Sequence, residues 1–442
     1  MMTQRIDRRT FTQSSAAAAA LGWTAAAVPR VSRAADPLQA NEKIRLGFIG
    51  VANRGGQMMD AFMEHDDMQI VAVCDVDQKI VAAAKEKAGG QVATYTDFRR
   101  LIDRDDIDAV VIATPDHWHA IQTIMACDAG KDVYVEKPLS MTVVEGRRMV
   151  QAAERNKRVV QVGTHRRSSP LYTRLAERAR QGDFGKICVS TAYRLSNMVP
   201  RGIGRAAPSA PPAHLDWDMW LGPRPRRPFQ ENIAPYRFRW WDLYSSQMAN
   251  WGVHFLDAIR WCTDELAPSA VTAVGGRYAV DDDRTIPDTA VVTFEFDSGR
   301  LALFGQYETS GNRAFPFGEI EFRGTDGTVY ASERGYRVVP ERGGQFQDRE
   351  PRVKPEEVDH PSNNAMLTAM HARNFLDCMR TRETPTADIE TGHRSTTFAL
   401  IANISLQLGR RLQWDAVEER FPDCEEANQL LHYEYRAPWK LG

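Results

Sequence analysis

A lysine closes the short β-branched and aromatic run Asp132-Val133-Tyr134-Val135-Glu136-Lys137-Pro138. Residues 132–135 favour a strand, and Pro138 cannot donate to a ladder, so the strand stops there with Lys137 at its carboxyl end. Ligands of open α/β sheets bind in the crevice at those ends, although Lys-Pro by itself also reads as a surface turn. Upstream, Gly50-Val51-Ala52-Asn53-Arg54-Gly55 resembles a dinucleotide fingerprint with alanine for the middle glycine. Such a turn brings backbone close to a pyrophosphate at a helix N-terminus, which makes Gly50, Ala52, Asn53, Arg54 and Gly55 candidate cofactor contacts. Asp75 ends the next apolar run, where a carboxylate accepts ribose hydroxyls and repels a 2′-phosphate. NAD is therefore favoured over NADP, and a simple turn cap is the alternative reading of Asp75.

These groups need a scaffold to position them. Apolar runs at 44–49, 69–73, 108–113, 133–135 and 159–163 read as strands. Helical patterns lie between them, running to about 64 and then over 78–88, 98–103, 119–129 and 143–156. Alternation of this kind implies right-handed βαβ crossovers and a doubly wound parallel sheet. After about residue 165 the pattern changes. A helix over 171–181 and a strand over 187–195 lead into a Pro-, Arg- and Trp-rich stretch, 196–246, and then a helix over 247–262. Closely spaced strand-like runs at 271–280, 289–296, 301–308, 318–323 and 327–331 suggest an antiparallel sheet. A polar loop is expected over 343–360, and helices over 366–380 and 392–408. The predicted fold is an α/β Rossmann domain over 44–165, then an α+β domain over 166–442.

On the 247–262 helix, Met248, Gly252, Phe255, Ile259 and Cys262 recur at the spacing of a buried stripe. Asn250, His254, Asp257 and Trp261 adjoin it, with Asn250 and His254 one turn apart. That arrangement places an amide and an imidazole where a proton acceptor could work, and a structural histidine beside a core face is the plainer reading. His165-Arg166-Arg167 follows the 159–163 strand, so His165 and Arg166 read as polar substrate contacts or as solvated cations. His117 and His119 lack a third ligand at metal spacing, so no metal is expected. His393 opens the last helix and is a further substrate candidate.

The chain has 442 residues, 43% hydrophobic and 26% charged, with a formal net charge of −2. Two domains with sizeable cores fit that length, and a charge so near zero gives no electrostatic case for nucleic acid or a membrane surface. Arg8-Arg9-Thr10-Phe11, an alanine-rich apolar run at 16–28 and a small-residue site near Ala34 read as a twin-arginine export signal over residues 1–35, followed by a linker over 36–43. The expectation is a periplasmic or secreted protein, carried by the twin-arginine machinery, with no membrane span after signal removal. Six cysteines show no CxxC or finger spacing, so free, buried thiols are expected.

Gly50-x-Ala52-x-x-Gly55, Cys74-Asp75, Thr114-Pro115-Asp116-His117-Trp118-His119 and above all Glu136-Lys137-Pro138 together resemble the Gfo/Idh/MocA oxidoreductases, the glucose–fructose oxidoreductase and inositol dehydrogenase superfamily. The resemblance covers residues 44 to about 415. It implies a Rossmann domain, an open-faced antiparallel sheet domain, and substrate between them. It also implies that Thr114, Pro115, His119, Glu136 and Lys137 lie at the cofactor, with Lys137 touching both nicotinamide ribose and substrate. Homo-oligomers, dimer or tetramer, form through the open sheets in that family. Its pattern on the long helix is Asp-x-x-x-His, the histidine taking the alcohol proton; here Asn250 replaces the aspartate and His254 is kept.

A sugar, sugar derivative or cyclitol is the implied substrate. In the aromatic stretch, Trp217, Trp220, Tyr236, Phe238, Trp240 and Trp241 beside arginines suit a sugar's CH face and hydroxyls, and loop packing is the alternative. Three functions compete: an NAD-dependent dehydrogenase, a redox-neutral NAD-dependent glycosidase or lyase, and a non-catalytic sugar or nucleotide binder. Export favours tightly held nicotinamide, because no soluble pool reoxidises it outside the cytoplasm.

Overall fold

The computed structural model describes residues 42–346 and 350–442. The export signal and nearly all of the linker lie outside them. The first layered unit runs β1 (Ile44–Ile49), α1 (Asn53–Met63), β2 (Met68–Cys74), α2 (Gln78–Lys87), β3 (Ala93–Tyr95), α3 (Phe98–Ile102), β4 (Ala109–Ile112), α4 (His119–Asp128), β5 (Asp132–Val135), α5 (Val143–Asn156) and β6 (Val160–Val162). Its six strands are all parallel, in the order β3-β2-β1-β4-β5-β6. Every residue of β4 and β5 is buried, as a parallel sheet covered on both faces requires. The strand order reverses between β1 and β4, and the loops after both strands meet at that switch point, where such sheets bind ligands.

The second unit continues with α6 (Pro170–Gln181), β7 (Ile187–Asn197), α7 (Trp217–Leu221), a π-helical turn (Met248–Gly252) and α8 (Val253–Thr263). Then come β8 (Ala270–Gly276), β9 (Thr289–Glu295), β10 (Leu301–Tyr307), β11 (Thr309–Ser310), β12 (Ile320–Gly324), β13 (Gly327–Ser332), β14 (Gly335–Pro340) and β15 (Glu356–Asp359). The chain closes with α9 (Asn364–Thr381), α10 (Ile389–Leu408), β16 (Leu412–Gln413) and α11 (Glu425–Gln429).

The main path of this sheet is β15-β14-β13-β12-β7-β10-β9-β8-β16. All of its pairings are antiparallel except β7 with β10. Along β9 buried and half-buried residues alternate, the mark of a sheet covered on one face. The covering helices bring Leu175, Phe255, Ile259, Phe398 and Ile401 into one core with Phe294 and Phe304. Helix α9 crosses back to the first sheet, where Phe375 meets Phe62 and Tyr134 edge-on. The two units are thereby clamped face to edge around the switch point.

Four cysteines are buried as expected, whereas Cys188 is exposed and Cys424 half-buried, and all six are free. Among the described residues no helix is long and apolar enough to cross a membrane.

Candidate active site

A cavity of about 1250 Å³, counting its mouth, opens at the switch point. Its floor is the turn from β1 into α1. Gly50 sits there at φ +78°, and a Cβ would fall 2.7 Å from the Thr114 nitrogen. At Gly55 a Cβ would lie 1.9 Å from the Gly50 carbonyl oxygen, so only glycine lets the helix start this close to the turn. Helix α1 begins at Ala52 without a side-chain cap, leaving N-terminal amides for an anion. The Asp75 carboxylate accepts from the amides of Val51 at 2.9 Å and Asp77 at 3.1 Å. Burial pushes its pKa up to about 6. With no cation beside it, the carboxylate retains acceptor capacity for hydroxyls. A cradle shaped by missing Cβ atoms, an uncapped helix end and an unpaired carboxylate fit a dinucleotide with a free 2′-hydroxyl.

Lys137 marks the inner end of the cavity. Its Nζ donates to the Asn250 carbonyl oxygen at 3.0 Å, so the end of β5 and the π turn are tied across the two units. Burial drives the Lys137 pKa down to about 8, against the opposing pull of Glu136. Glu136 is itself buried and paired with Arg54 at 2.8 Å. Burial would raise this carboxyl, but the Arg54 and Lys137 charges outweigh it and hold it below its ordinary range. The Arg54–Glu136 pair ties the dinucleotide turn to the Lys137 loop, and Arg54 also reaches Thr368 on α9 at 3.3 Å.

His254 lies behind Lys137, 9% exposed, with its ring 5.2 Å from that of His165. Burial first, then the charges of Lys137, His165, Arg166 and Arg54, push its pKa well below the ordinary value. The imidazole is thereby held toward its neutral form, while Lys137 is drawn down to about 8. A neutral imidazole with an unpartnered Nδ1 can accept a proton or orient a hydroxyl.

The outer wall comes from the aromatic stretch, a strap that brings Leu215, Trp220 and Phe238 to the cavity. Leu215 pairs with Asp77 as an isolated bridge. Gln78 N donates to the His214 carbonyl at 2.9 Å, and Asp216 N to the Val76 carbonyl at 3.0 Å. Trp118 Nε1 and His117 fix α7 through the carbonyls of Met219 and Trp220. The C-terminal tail then lies over this strap, with Arg436 bonded to Asp218 and Gly222. Trp439 is packed on Trp118 and Phe98 with centroids 4.7 and 6.1 Å away.

One family model, described as "Oxidoreductase family, NAD-binding Rossmann fold", matches residues 44–164. A second, "Oxidoreductase family, C-terminal alpha/beta domain", matches residues 189–441. The chain belongs to the Gfo/Idh/MocA oxidoreductase family. Its first unit is the family's NAD-binding domain, and the cavity at the switch point is where the cofactor fits.

Among solved structures, a levoglucosan dehydrogenase in complex with NADH and levoglucosan aligns at TM-score 0.65 and 18% identity, over 84% of this chain and 99% of that one. The WlbA dehydrogenase of Bordetella pertussis, in complex with NADH and UDP-GlcNAcA, aligns at TM-score 0.63 and 19% identity, over 85% and 99%. At those identities the likeness is one of fold. Curated relatives include an alpha-N-acetylgalactosaminidase of Shewanella oneidensis, 34% identical over 33% of this chain and 34% of that protein. A glycosyl hydrolase family 109 protein of a Shewanella species is 34% identical over 36% and 37%. The chain thus spans only about a third of the length of these relatives.

Of the residues singled out in the sequence, Gly50, Ala52, Asn53, Arg54, Asp75, Thr114, Pro115, Glu136, Lys137 and Asn250 line the cavity, while Gly55 lies beneath it. His165 and Arg166 are buried in the turn after β6, beside His254. Four residues stand elsewhere. His119 is behind the wall, its ring spanning the carbonyls of Pro138 at 2.8 Å and Thr114 at 3.0 Å, so it braces the cofactor loops from outside. Asp257 is consumed by Arg167 and Ser395. Trp241 packs the strap's own core and donates to the Asn232 carbonyl. His393 is paired with Glu419 at 2.8 Å, away from the cavity.

Of the aromatic candidates, Trp220 and Phe238 line the cavity, and so do Asp116, Gln122, His214 and Arg239, which were not anticipated as contacts. Asp116 lies inside the quoted Thr114–His119 motif, which was the signal available for it. Among the described residues no cluster of three His, Cys, Asp or Glu is set to hold a metal ion.

Proposed function

We propose that this chain is an exported carbohydrate oxidoreductase that retains its NAD and oxidises a hydroxyl of a sugar, sugar derivative or cyclitol. The observation that carries the reading is Lys137, held at the inner end of the dinucleotide cavity with its pKa lowered to about 8 and a neutral His254 behind it. NAD bound there supplies the hydride acceptor. Lys137, bound to the Asn250 carbonyl, takes the hydroxyl proton once it is neutral itself, and His254 orients or shares that proton. Asn250 offers a carboxamide with no partner among the described residues, suited to a second hydroxyl. Arg54 and Glu136 keep the Lys137 loop in register with the dinucleotide turn.

Retention of the cofactor is supported by the strap that walls the cavity and by the tail packed over that strap. Export through the twin-arginine route, which carries folded proteins, is consistent with a cofactor loaded beforehand, and Arg8 and Arg9 are the residues that would direct it. Assembly into a homo-oligomer through the half-exposed face of the second sheet is part of the same proposal. Cell fractionation of an Arg8→Lys, Arg9→Lys double variant checks the route, with the protein expected to stay in the cytoplasm.

A second reading is favoured by the glycosyl hydrolase names of relatives 34% identical to part of this chain. A ring hydroxyl carbon would give its hydride to bound NAD, and the resulting ketone would acidify the adjacent C–H. Loss of that proton would expel the protonated aglycone as an alcohol, water would add across the resulting enone, and return of the hydride would restore the hydroxyl. Lys137 and His254 serve the oxidation and its reversal alike. To test both readings, the purified mature protein is denatured and any released nicotinamide identified, and intact protein is then given glycosides deuterated at the oxidised carbon. Accumulating reduced cofactor supports the dehydrogenase; bond cleavage with deuterium returned to product supports the redox-neutral cycle. A protein that holds no nicotinamide and binds none refutes both.

A further inference from the structure

Most of the cations around His254 are already neutralised. Arg54 is held by Glu136 at 2.8 Å, Arg166 by Glu319 at 2.9 Å and Glu333 at 3.1 Å, and Arg167 by Asp257 at 2.9 Å. Arg194 has no such carboxylate partner among the described residues. It stands near the end of β7 on the same face as the buried Ser190 and Ala192, so it points to the helix side of the sheet. Its guanidinium lies 3.8 Å from the centroid of Trp251, the residue after Asn250. Trp251 in turn neighbours the His254 ring at 6.3 Å.

The Arg194 Nε is buried without a partner, and no hydrogen bond or ion pair to any of its nitrogens occurs among the described residues. The carboxylates that act on it are spoken for: Glu308 accepts from Arg284, Trp240 and Gln247, and Glu319 is bound to Arg166. Burial lowers the Arg194 pKa, a sign of a charge that the protein solvates poorly. Three further nitrogens in the same neighbourhood, Arg166 Nη1, His165 Nδ1 and His254 Nδ1, are also buried and unpartnered.

A desolvated guanidinium without a counterion is costly unless a ligand supplies the negative charge. Stacking on an indole fixes the plane of the guanidinium and leaves its edge free. A free, planar edge with two parallel N–H groups matches a carboxylate or an oxyanion ester better than it matches single hydroxyls. We propose that Arg194, stacked on Trp251, recognises an anionic group on the substrate, so that the enzyme acts on acidic sugars. This rests on the reading of the site as a carbohydrate oxidoreductase and adds the substrate class to it. The shared chemistry is an oxyanion carried by the sugar, either a uronic carboxylate or a sulfate ester.

The test uses the full mature protein with its cofactor and three probes of one configuration: methyl galacturonide, methyl galactoside and galactose 6-sulfate. Binding is followed by calorimetry and turnover by reduced-nicotinamide absorbance and product analysis. The expected result is that one or both anionic probes bind about 10- to 100-fold more tightly than the galactoside. Gain confined to the galacturonide identifies a carboxylate, and gain confined to the sulfate identifies an ester. Arg194→Gln removes that advantage through KM far more than kcat, while Arg194→Lys keeps part of it because the charge remains without the fork. Melting temperature and bound nicotinamide confirm that each variant is folded.

Equal binding of neutral and acidic probes by the unaltered protein overturns the proposal, and so does an Arg194→Gln variant that weakens both equally. Efficient turnover of the galactoside without preference sinks this inference and leaves the oxidoreductase reading standing. Arg194-dependent binding of an acidic probe by protein that holds and binds no nicotinamide upholds recognition of the anion and sinks that reading.

Discussion

Glu136→Gln tests the electrostatic argument for Lys137 more directly than removing the lysine would. Burial depresses the lysine to about 8, and Glu136 is the largest influence opposing that fall. The neutral amide keeps the shape of Glu136 but deletes its charge. It also frees the Arg54 cation, which already pushes Lys137 downward, so both effects have the same sign. An opposite charge at close range in a shielded site is worth about one pKa unit or more, and one unit is about 1.4 kcal/mol. The Lys137 midpoint is therefore expected to fall by at least about one unit. The neutral fraction at a given pH below the midpoint then rises about tenfold per unit.

Loss of the carboxylate also leaves Arg54 buried without its counterion, a change that costs about 3 kcal/mol in comparable pairs. The contacts of Arg54 with Thr368 and Asn364 soften that cost, so the variant should melt lower but fold. Trace acetylation of Lys137 across a pH series, read by mass spectrometry of its peptide, gives the midpoint without needing the substrate. With a substrate in hand, the acid limb of the rate profile should move with it. A midpoint equal to or above that of the parent protein would refute the account of how Lys137 is tuned.

The other expectations concern the cofactor and its partner base. His254→Asn should slow hydride transfer by roughly 10²- to 10⁴-fold while bound nicotinamide stays at parent levels; stopped-flow absorbance and cofactor analysis separate the two. Asp75→Ala should weaken NAD retention by about 10- to 100-fold, since hydrogen bonds to a charged acceptor are worth about 1.5–3 kcal/mol. The same variant should narrow discrimination against NADP, measured by competition binding to the stripped protein. Trp439→Ala removes the ring packed on Trp118 and Phe98 and should speed nicotinamide release during dialysis; an unchanged release rate would mean the tail does not secure the strap.

How much of this was legible beforehand depends on what each segment buries. β1, β4 and β5 read clearly because both faces of a parallel sheet demand apolar residues. β3 escaped notice because its three residues, Ala93–Tyr95, are only half-buried or exposed and offer no period. β15 reads as polar loop in sequence because Glu356, Glu357 and Asp359 carry charges. It is an edge strand whose carboxylates are matched by Arg178 and Arg337, and charge on an edge is how sheets avoid further pairing. Lys137, Asn250 and the glycine turn were readable because their roles are local to a strand end or a helix turn. The strap was not, since backbone bonds from His214 and Asp216 to the turn after β2 leave no trace in side-chain pattern. His393 and Asp257 looked available only because Glu419 and Arg167, far away in sequence, could not be seen as their partners.

The asparagine at 250 follows from the same electrostatics. Its main-chain carbonyl holds the Lys137 ammonium at 3.0 Å, and its side chain lines the cavity beside it. A carboxylate there would stabilise protonated Lys137 and an imidazolium at His254, raising both pKa values. Lys137, already largely protonated at pH 7 with its pKa at about 8, would then be neutral in a still smaller fraction of molecules. A neutral amide avoids this while still offering a donor and an acceptor to a hydroxyl. The surrounding cations Arg54 and Arg239 pull Lys137 in the same direction, and Arg54 and Arg166 do so for His254. On the proposed reading the proton passes to a desolvated lysine in a positively charged setting, and Asn250→Asp should raise the Lys137 midpoint and shift the acid limb of the rate profile to higher pH.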